Sequence, residues 1–176
     1  MRAPLAALAL ALAGCGDADG TEAPEPGTFV AFDRDFLPYA AWPRTDLGAI
    51  SLAGHPPGPR WVHLNRPLPA GATRYPTGTI LVKVVQAEPD PTQWVLFAMV
   101  KRGGGYNASG ARGWEYFVLR LSREGVPFVV SRGLAPNLVG SLYTVGDGLG
   151  CNSCHGTEDA RALDGILTPA LRPGAR

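Results

Sequence analysis

The chain has 176 residues, a net charge of +1, 23 glycines, 17 prolines and three cysteines. That length suits one domain with a real core. The near-neutral charge with scattered basic residues gives no sign of a nucleic-acid partner, the glycine and proline content argues against a helical bundle, and no repeat recurs.

The first 15 residues, MRAPLAALALALAGC, read as an export signal: Arg2, a short apolar run, then small residues. The run is shorter than the ~20 apolar residues that span a bilayer. Leu12-Ala13-Gly14-Cys15 resembles a bacterial lipobox. The resemblance implies a signal peptide over 1–14, cleavage before Cys15 and a diacylglycerol on its sulfur. Two or three acyl chains anchor a protein stably to a membrane. The alternative is an ordinary signal peptide with a chance cysteine. Gly16 follows Cys15 where aspartate would hold a lipoprotein at the inner membrane, so the resemblance points to the outer one. Residues 15–28, acidic and rich in Pro and Gly, read as a flexible tether. The folded domain is expected over 29–176.

Along that domain, DFLPYAAWPR (35–44) reads as a short amphipathic helix with Phe36, Tyr39 and Trp42 inward, stopped by Pro43. RWVHLNR (60–66) alternates as a strand does. TILVKVVQ (79–86), QWVLFAMVK (93–101) and WEYFVLRL (114–121) are strong strands, and VPFVVS (126–131) is a fourth candidate. The glycine-rich stretch at 102–113 lacks the Gly-Lys-Ser/Thr of a phosphate loop and reads as a flexible hairpin loop. Helical character returns at 157–167. Neighbouring strands on short loops imply an antiparallel sheet. The expected class is α+β: a mostly antiparallel sheet, a few short helices, and a C-terminal helix carrying the Cys-x-x-Cys-His motif.

That motif, CNSCH at 151–155, has three readings. Zinc needs two further ligands, and no second cysteine pair supplies them. A redox Cys-x-x-Cys normally opens a helix in a βαβ setting that is absent here. Cys-x-x-Cys-His is the attachment signature of c-type haem: two thioethers fix the ring and the histidine binds its iron. Export suits it, since Cys15 is taken by lipid and the compartment is oxidising. The motif therefore points to one haem c, held by Cys151, Cys154 and His155.

Lys83 is the other odd residue. Leu81, Lys83 and Val85 share one strand face, and Ile80, Val82 and Val84 the other. Lys83 is either an exposed guard of a sheet edge or a partly buried amine of lowered pKa, fit to act as a nucleophile.

The order GTILVK, LFAMVK, GWEYFVLRL, then CNSCH resembles the cytochrome P-460 family, related to the β-type cytochromes c′. The resemblance spans roughly 30–170 and implies a dimeric antiparallel fold with one haem c. Cys151 and Cys154 fall on its thioether positions and His155 on its proximal iron ligand. Lys83 falls on the lysine that bonds to the haem ring in cytochrome P-460. Arg60 falls near an arginine that lines the distal pocket. Phe97 takes the place of the distal carboxylate that serves as proton acceptor in hydroxylamine oxidation; a two-residue shift in the strand puts Met99 there instead. The resemblance implies an exported periplasmic cytochrome that oxidises hydroxylamine or nitric oxide at an open iron site opposite His155 and passes electrons to a partner. The apolar Phe97 favours the alternative, a nitric oxide or carbon monoxide binder without turnover. A simple electron carrier needs a sixth ligand, for which Met99, His55 and His63 are the Met and His candidates. In small electron carriers the motif lies near the N-terminus, unlike here. The four tryptophans, Trp42, Trp61, Trp94 and Trp114, are expected in the core.

Overall fold

A computed structural model describes residues 27–49, 55–136 and 150–174. The export signal, Cys15 and most of the tether lie outside the described residues. Six strands form a single antiparallel sheet in chain order: β1 Arg44–Ala49, β2 Pro59–Leu64, β3 Ile80–Val85, β4 Val95–Lys101, β5 Trp114–Leu121 and β6 Pro127–Gly133. The expected α+β class and antiparallel sheet are therefore present, built as a simple meander. Among the described residues no helix is long and apolar enough to cross a membrane.

Period-two alternation sorts side chains onto two faces. On one face Val82, Val84, Leu96, Ala98, Phe117 and Leu119 form a core cluster. The N-terminal segment covers it. Helix α1, Asp33–Phe36, drives Phe36 against Phe117 with ring centroids 5.2 Å apart, and a tight turn at Tyr39–Ala41 adds Tyr39. The inward Phe36, Tyr39 and Trp42 are as expected, but on two short turns, because Pro38 and Pro43 leave no room for a longer helix. The fold also starts slightly before Phe29, since Thr28 already bridges Gly103.

The other face carries Val62, Leu81, Trp114 and Tyr116, packed with Tyr75, Ala111 and Ile166. The chain after residue 150 covers it. The expected C-terminal helix is replaced by two short ones: α2, Asn152–His155, holds the motif, and α3, Glu158–Ala162, follows. Thr157 separates them. Its extended backbone (ψ 159°) cannot continue a helix, and its hydroxyl accepts from Ala160 N at the start of α3.

This C-terminal segment is fastened by buried polar bonds. Lys101 and Asp164 pair at 2.6 Å with both side chains almost fully buried. The second carboxylate oxygen of Asp164 accepts from Tyr75 N at 2.8 Å, and its carbonyl accepts from the Trp114 indole at 2.7 Å. Breaking such a pair from one side strands the other charge. Asp164→Ala is expected to lower stability by about 3–5 kcal/mol, read as a fall in the urea midpoint at unchanged slope. A midpoint equal to the wild type's would contradict this role.

Candidate functional site

Register places the site residues. In β2–β3–β4, Val62 faces Lys83 and Lys83 faces Phe97; one step on, Leu81 faces Met99. Lys83, Phe97 and Met99 therefore share the sheet face that the motif segment covers. They are its half-buried members on strands whose other residues are almost all buried. The phase assigned to Lys83 from sequence is the one observed, so it is no edge guard: β3 lies inside the sheet. Phe97 and Met99 both belong to this face, as a two-residue step on one strand requires.

The motif helix is held by its second residue. Asn152 Oδ1 accepts from Asn107 Nδ2 (3.0 Å), Ala111 N (3.2 Å) and the Tyr116 hydroxyl (2.9 Å), while Asn152 Nδ2 donates to Asn107 Oδ1 at 2.7 Å. The 102–113 loop is thus a docking surface rather than a free hairpin tip. Asn107 adopts a left-handed backbone (φ 54°) that asparagine tolerates. Gly110 lies so close to the side chains of Asn107 and Asn152 that a Cβ there would overlap them. Sequence reading missed Asn107 and Asn152; the local asparagine and glycine content signals a turn, but not a partner 45 residues away.

His155 has one nitrogen committed. Its Nδ1 lies 2.7 Å from the Gly165 carbonyl. A carbonyl only accepts, so Nδ1 carries the proton and Nε2 keeps its lone pair, the state a metal-binding imidazole needs. Asp164 and Gly165 in succession take positive φ (54° and 74°), which turns the chain back towards the histidine. Burial holds the His155 pKa down, the Gly165 bond opposes this, and the Lys83 charge adds to it. The Tyr116 ring packs 5.8 Å from the imidazole. Cys151, half-buried, and Cys154, exposed, are unbridged thiols. Burial pushes Cys151 up to about 11.

His55 completes the group. Its Nε2 is 2.8 Å from Lys83 Nζ, and its ring meets Phe97 edge-on with centroids 4.6 Å apart. Burial, then the charges of Lys83, His155 and Arg60, lower its pKa to about 3, so it is neutral and accepts from Lys83. Lys83 is brought down to about 7, first by burial and then by Arg60, with the two cysteines opposing. Among the described residues no carboxylate is one of the groups that shift Lys83, His55 or His155. From the sequence His55 stood only as a candidate sixth ligand. Its place beside Lys83 depends on chain folding that the HPPGP turn does not reveal.

Arg60 is 1% exposed. It donates to the carbonyls of Pro56 (Nη2, 2.9 Å) and Gly58 (Nε, 3.3 Å), while Nη1 has no hydrogen-bond partner among the described residues. A buried donor without an acceptor costs about 1–3 kcal/mol. His63 is elsewhere: it packs against Tyr39, accepts from the Trp61 indole at 2.9 Å and donates to the Trp42 carbonyl at 3.2 Å. Both of its nitrogens are engaged, which removes it from the ligand candidates. Trp114 is fully buried; Trp42, Trp61 and Trp94 pack on the opposite core and are only partly covered.

Among the described residues no three His, Cys, Asp or Glu side chains converge as a metal-binding group. The residues do fit a c-type haem, which asks iron ligation of one imidazole only. The thiols are unbridged, His155 Nε2 is available, and Arg60 Nη1 offers a buried donor suited to a propionate carboxylate. No protein-family model, no curated protein and no solved structure matches the chain.

The chain has two lysines, Lys83 and Lys101. Lys101 is sealed in its ion pair. An amine-directed acylating reagent is therefore expected to label the haem-free protein at Lys83, with a rate that rises through about pH 7. Peptide mapping against pH checks this. Labelling that begins only near pH 10, the ordinary lysine range, would show that the site does not depress this amine.

Proposed function

We propose that this chain is an exported c-type cytochrome resembling cytochrome P-460, and that it oxidises hydroxylamine or nitric oxide at an iron position opposite His155. The observation that carries the reading is the gathering, on one sheet face, of Lys83, His55, Phe97 and Arg60 with the Cys151–His155 motif, close enough for their charges to act on one another. Cys151, Cys154 and His155 would hold the haem, which would supply an iron able to bind a small nitrogen ligand and take its electrons. Asn152 holds the motif helix against Tyr116 and the 102–113 loop. Gly165 orients the imidazole, and the buried Arg60 Nη1 would donate to a propionate. Phe97 keeps the site apolar and favours neutral ligands over water.

Oxidation at N–H bonds releases protons, and a positioned base speeds their removal. Phe97 cannot act so, and among the described residues no carboxylate takes its place. Lys83, lowered to about 7, is the base here poised near neutral pH, while His55, lowered to about 3 by burial and the Lys83 charge, accepts its hydrogen bond. Lys83 is also the residue proposed to bond to the haem ring. Such a bond would take away the Lys83 charge that helps to hold the His55 pKa down, and His55 would then be the remaining nitrogen base. Replacing His55 by leucine is expected to cut hydroxylamine turnover by about 10²-fold, the low end for a lost acid–base group, while nitric oxide still binds. Steady-state assay with an artificial electron acceptor, beside a nitric oxide titration, measures both. Turnover unchanged by the substitution would remove His55 from the mechanism.

Phe97 supports a second reading, a cytochrome c′-like protein that captures nitric oxide or carbon monoxide without turnover. The optical spectrum of the reduced protein separates the two. A strongly red-shifted Soret band, abolished by Lys83→Met, is expected for the enzyme. An ordinary ferrous c-type band, identical in Lys83→Met and shifted by nitric oxide, would establish the gas binder. The export route, lipid on Cys15 and outer-membrane anchoring belong to the same proposal. They are carried by the first 16 residues and tested by labelling cells with a fatty-acid probe.

A further inference from the structure

Lys83 Nζ lies 2.8 Å from His55 Nε2 and 5.2 Å from the centre of the Phe97 ring. His55 is neutral, so it accepts from the amine and brings no negative charge. Arg60 stands diagonally across the ladder from Lys83: Arg60 pairs with Val85, and Val62, two residues on, pairs with Lys83. Diagonal neighbours on one sheet face lie about 7–8 Å apart, within reach of long side chains. Arg60 is 1% exposed, and its Nη1 has no hydrogen-bond partner among the described residues. No carboxylate of the described residues is among the groups acting on Lys83 or His55. A half-buried amine and a buried guanidinium donor therefore share one face, and no acidic side chain of the described residues acts on the amine.

We propose that in the haem-free chain Lys83 takes up carbon dioxide as a carbamate whose carboxylate pairs with Arg60. The amine lone pair forms the N–C bond, one C–O π pair moves onto oxygen, and one amine proton leaves to water. Nothing is oxidised or reduced. The N–H that remains keeps the bond to His55 Nε2. The reaction needs a neutral amine. Burial and then the Arg60 charge bring Lys83 down to about 7, so much of it is neutral near neutral pH. The new carboxylate presents two oxygens, which match a guanidinium through charge-assisted hydrogen bonds. Carbon dioxide is itself small, neutral and apolar, as entry beside Phe97 requires. An aldehyde would form a neutral imine instead and leave the Arg60 donor without an acceptor. On the haem-loaded chain Lys83 and Arg60 are proposed to serve the haem, so haem and carbamate exclude one another. The carbamate does not rest on the haem reading, and either can fail without the other.

An alkylating oxonium reagent converts carbamates to stable esters, and peptide mapping then locates them. The test uses the purified mature chain, made without haem maturation and held in bicarbonate near neutral pH. The ester is expected on the peptide bearing Lys83, at a level at least about tenfold above that of the same chain unfolded in guanidinium chloride, where the amine returns to the ordinary lysine range. No ester at Lys83 overturns the proposal, and so does a level equal to that of the unfolded chain. Arg60→Met then tests the pairing. It is expected to lower the ester at Lys83 at least about tenfold relative to the rate of amine acylation at the same residue, as the loss of a charge-assisted hydrogen bond predicts. Acylation reads the free amine without the carboxylate, so an unchanged ratio refutes the role of Arg60. If Arg60→Met does not fold, the comparison of folded with unfolded wild type still decides whether the site forms the carbamate.

Discussion

Lys101 and Asp164 meet at 2.6 Å almost wholly out of water. Neither charge could stay there alone, since the penalty of burying an unpaired ion exceeds what packing returns. The pair joins the end of β4 to the turn after α3, and that turn determines where His155 points. Asp164 gives one oxygen to Lys101, the other to Tyr75 N, and its carbonyl to Trp114. The next residue, Gly165, presents its own carbonyl to His155. The orientation of one imidazole thus follows from a chain of bonds that starts in the sheet. Asn152 holds the other end of the motif through Asn107 and Tyr116. Two fastenings fix the short helix α2, which one helical turn could not do for itself.

The face beneath that helix is chemically one-sided. It brings a lysine, an arginine and two histidines among apolar side chains, with no carboxylate of the described residues among the groups acting on them. Burial and mutual repulsion hold His55 neutral and bring Lys83 into the physiological range. Such a site does not attract small cations. On the proposed reading it would suit a neutral ligand beside a large planar group whose own carboxylates bring negative charge. The donor left over on Arg60 belongs to the same pattern. A hydroxylamine-oxidising centre would here manage its protons with nitrogen bases rather than a carboxylate.

Much of the sheet was legible because the strands at 80–85, 95–101 and 114–121 are rich in β-branched and aromatic residues with clear alternation. The phase of Lys83 followed from that alternation alone. β1 was not legible: Arg-Thr-Asp-Leu-Gly-Ala has one large apolar residue, and it pairs only because β2 offers an edge. The helix expected at 157–167 shrank to five residues because Asp164 and Gly165 leave the helical region to reach Lys101 and His155. The site divided in the same way. Cys151, Cys154 and His155 form a local motif and could be read directly. Asn107, Asn152 and His55 act through contacts between distant segments, and a single sequence carries no mark of those contacts.

The central claim is that Cys151 and Cys154 hold haem on the Lys83 face. The most direct test is mass mapping of peptides from protein made with c-type haem maturation. The account predicts haem on the peptide bearing Cys151 and Cys154, joined also to the peptide bearing Lys83. A haem-free peptide with both thiols open or bridged to each other, from protein made with the maturation system working, would contradict it.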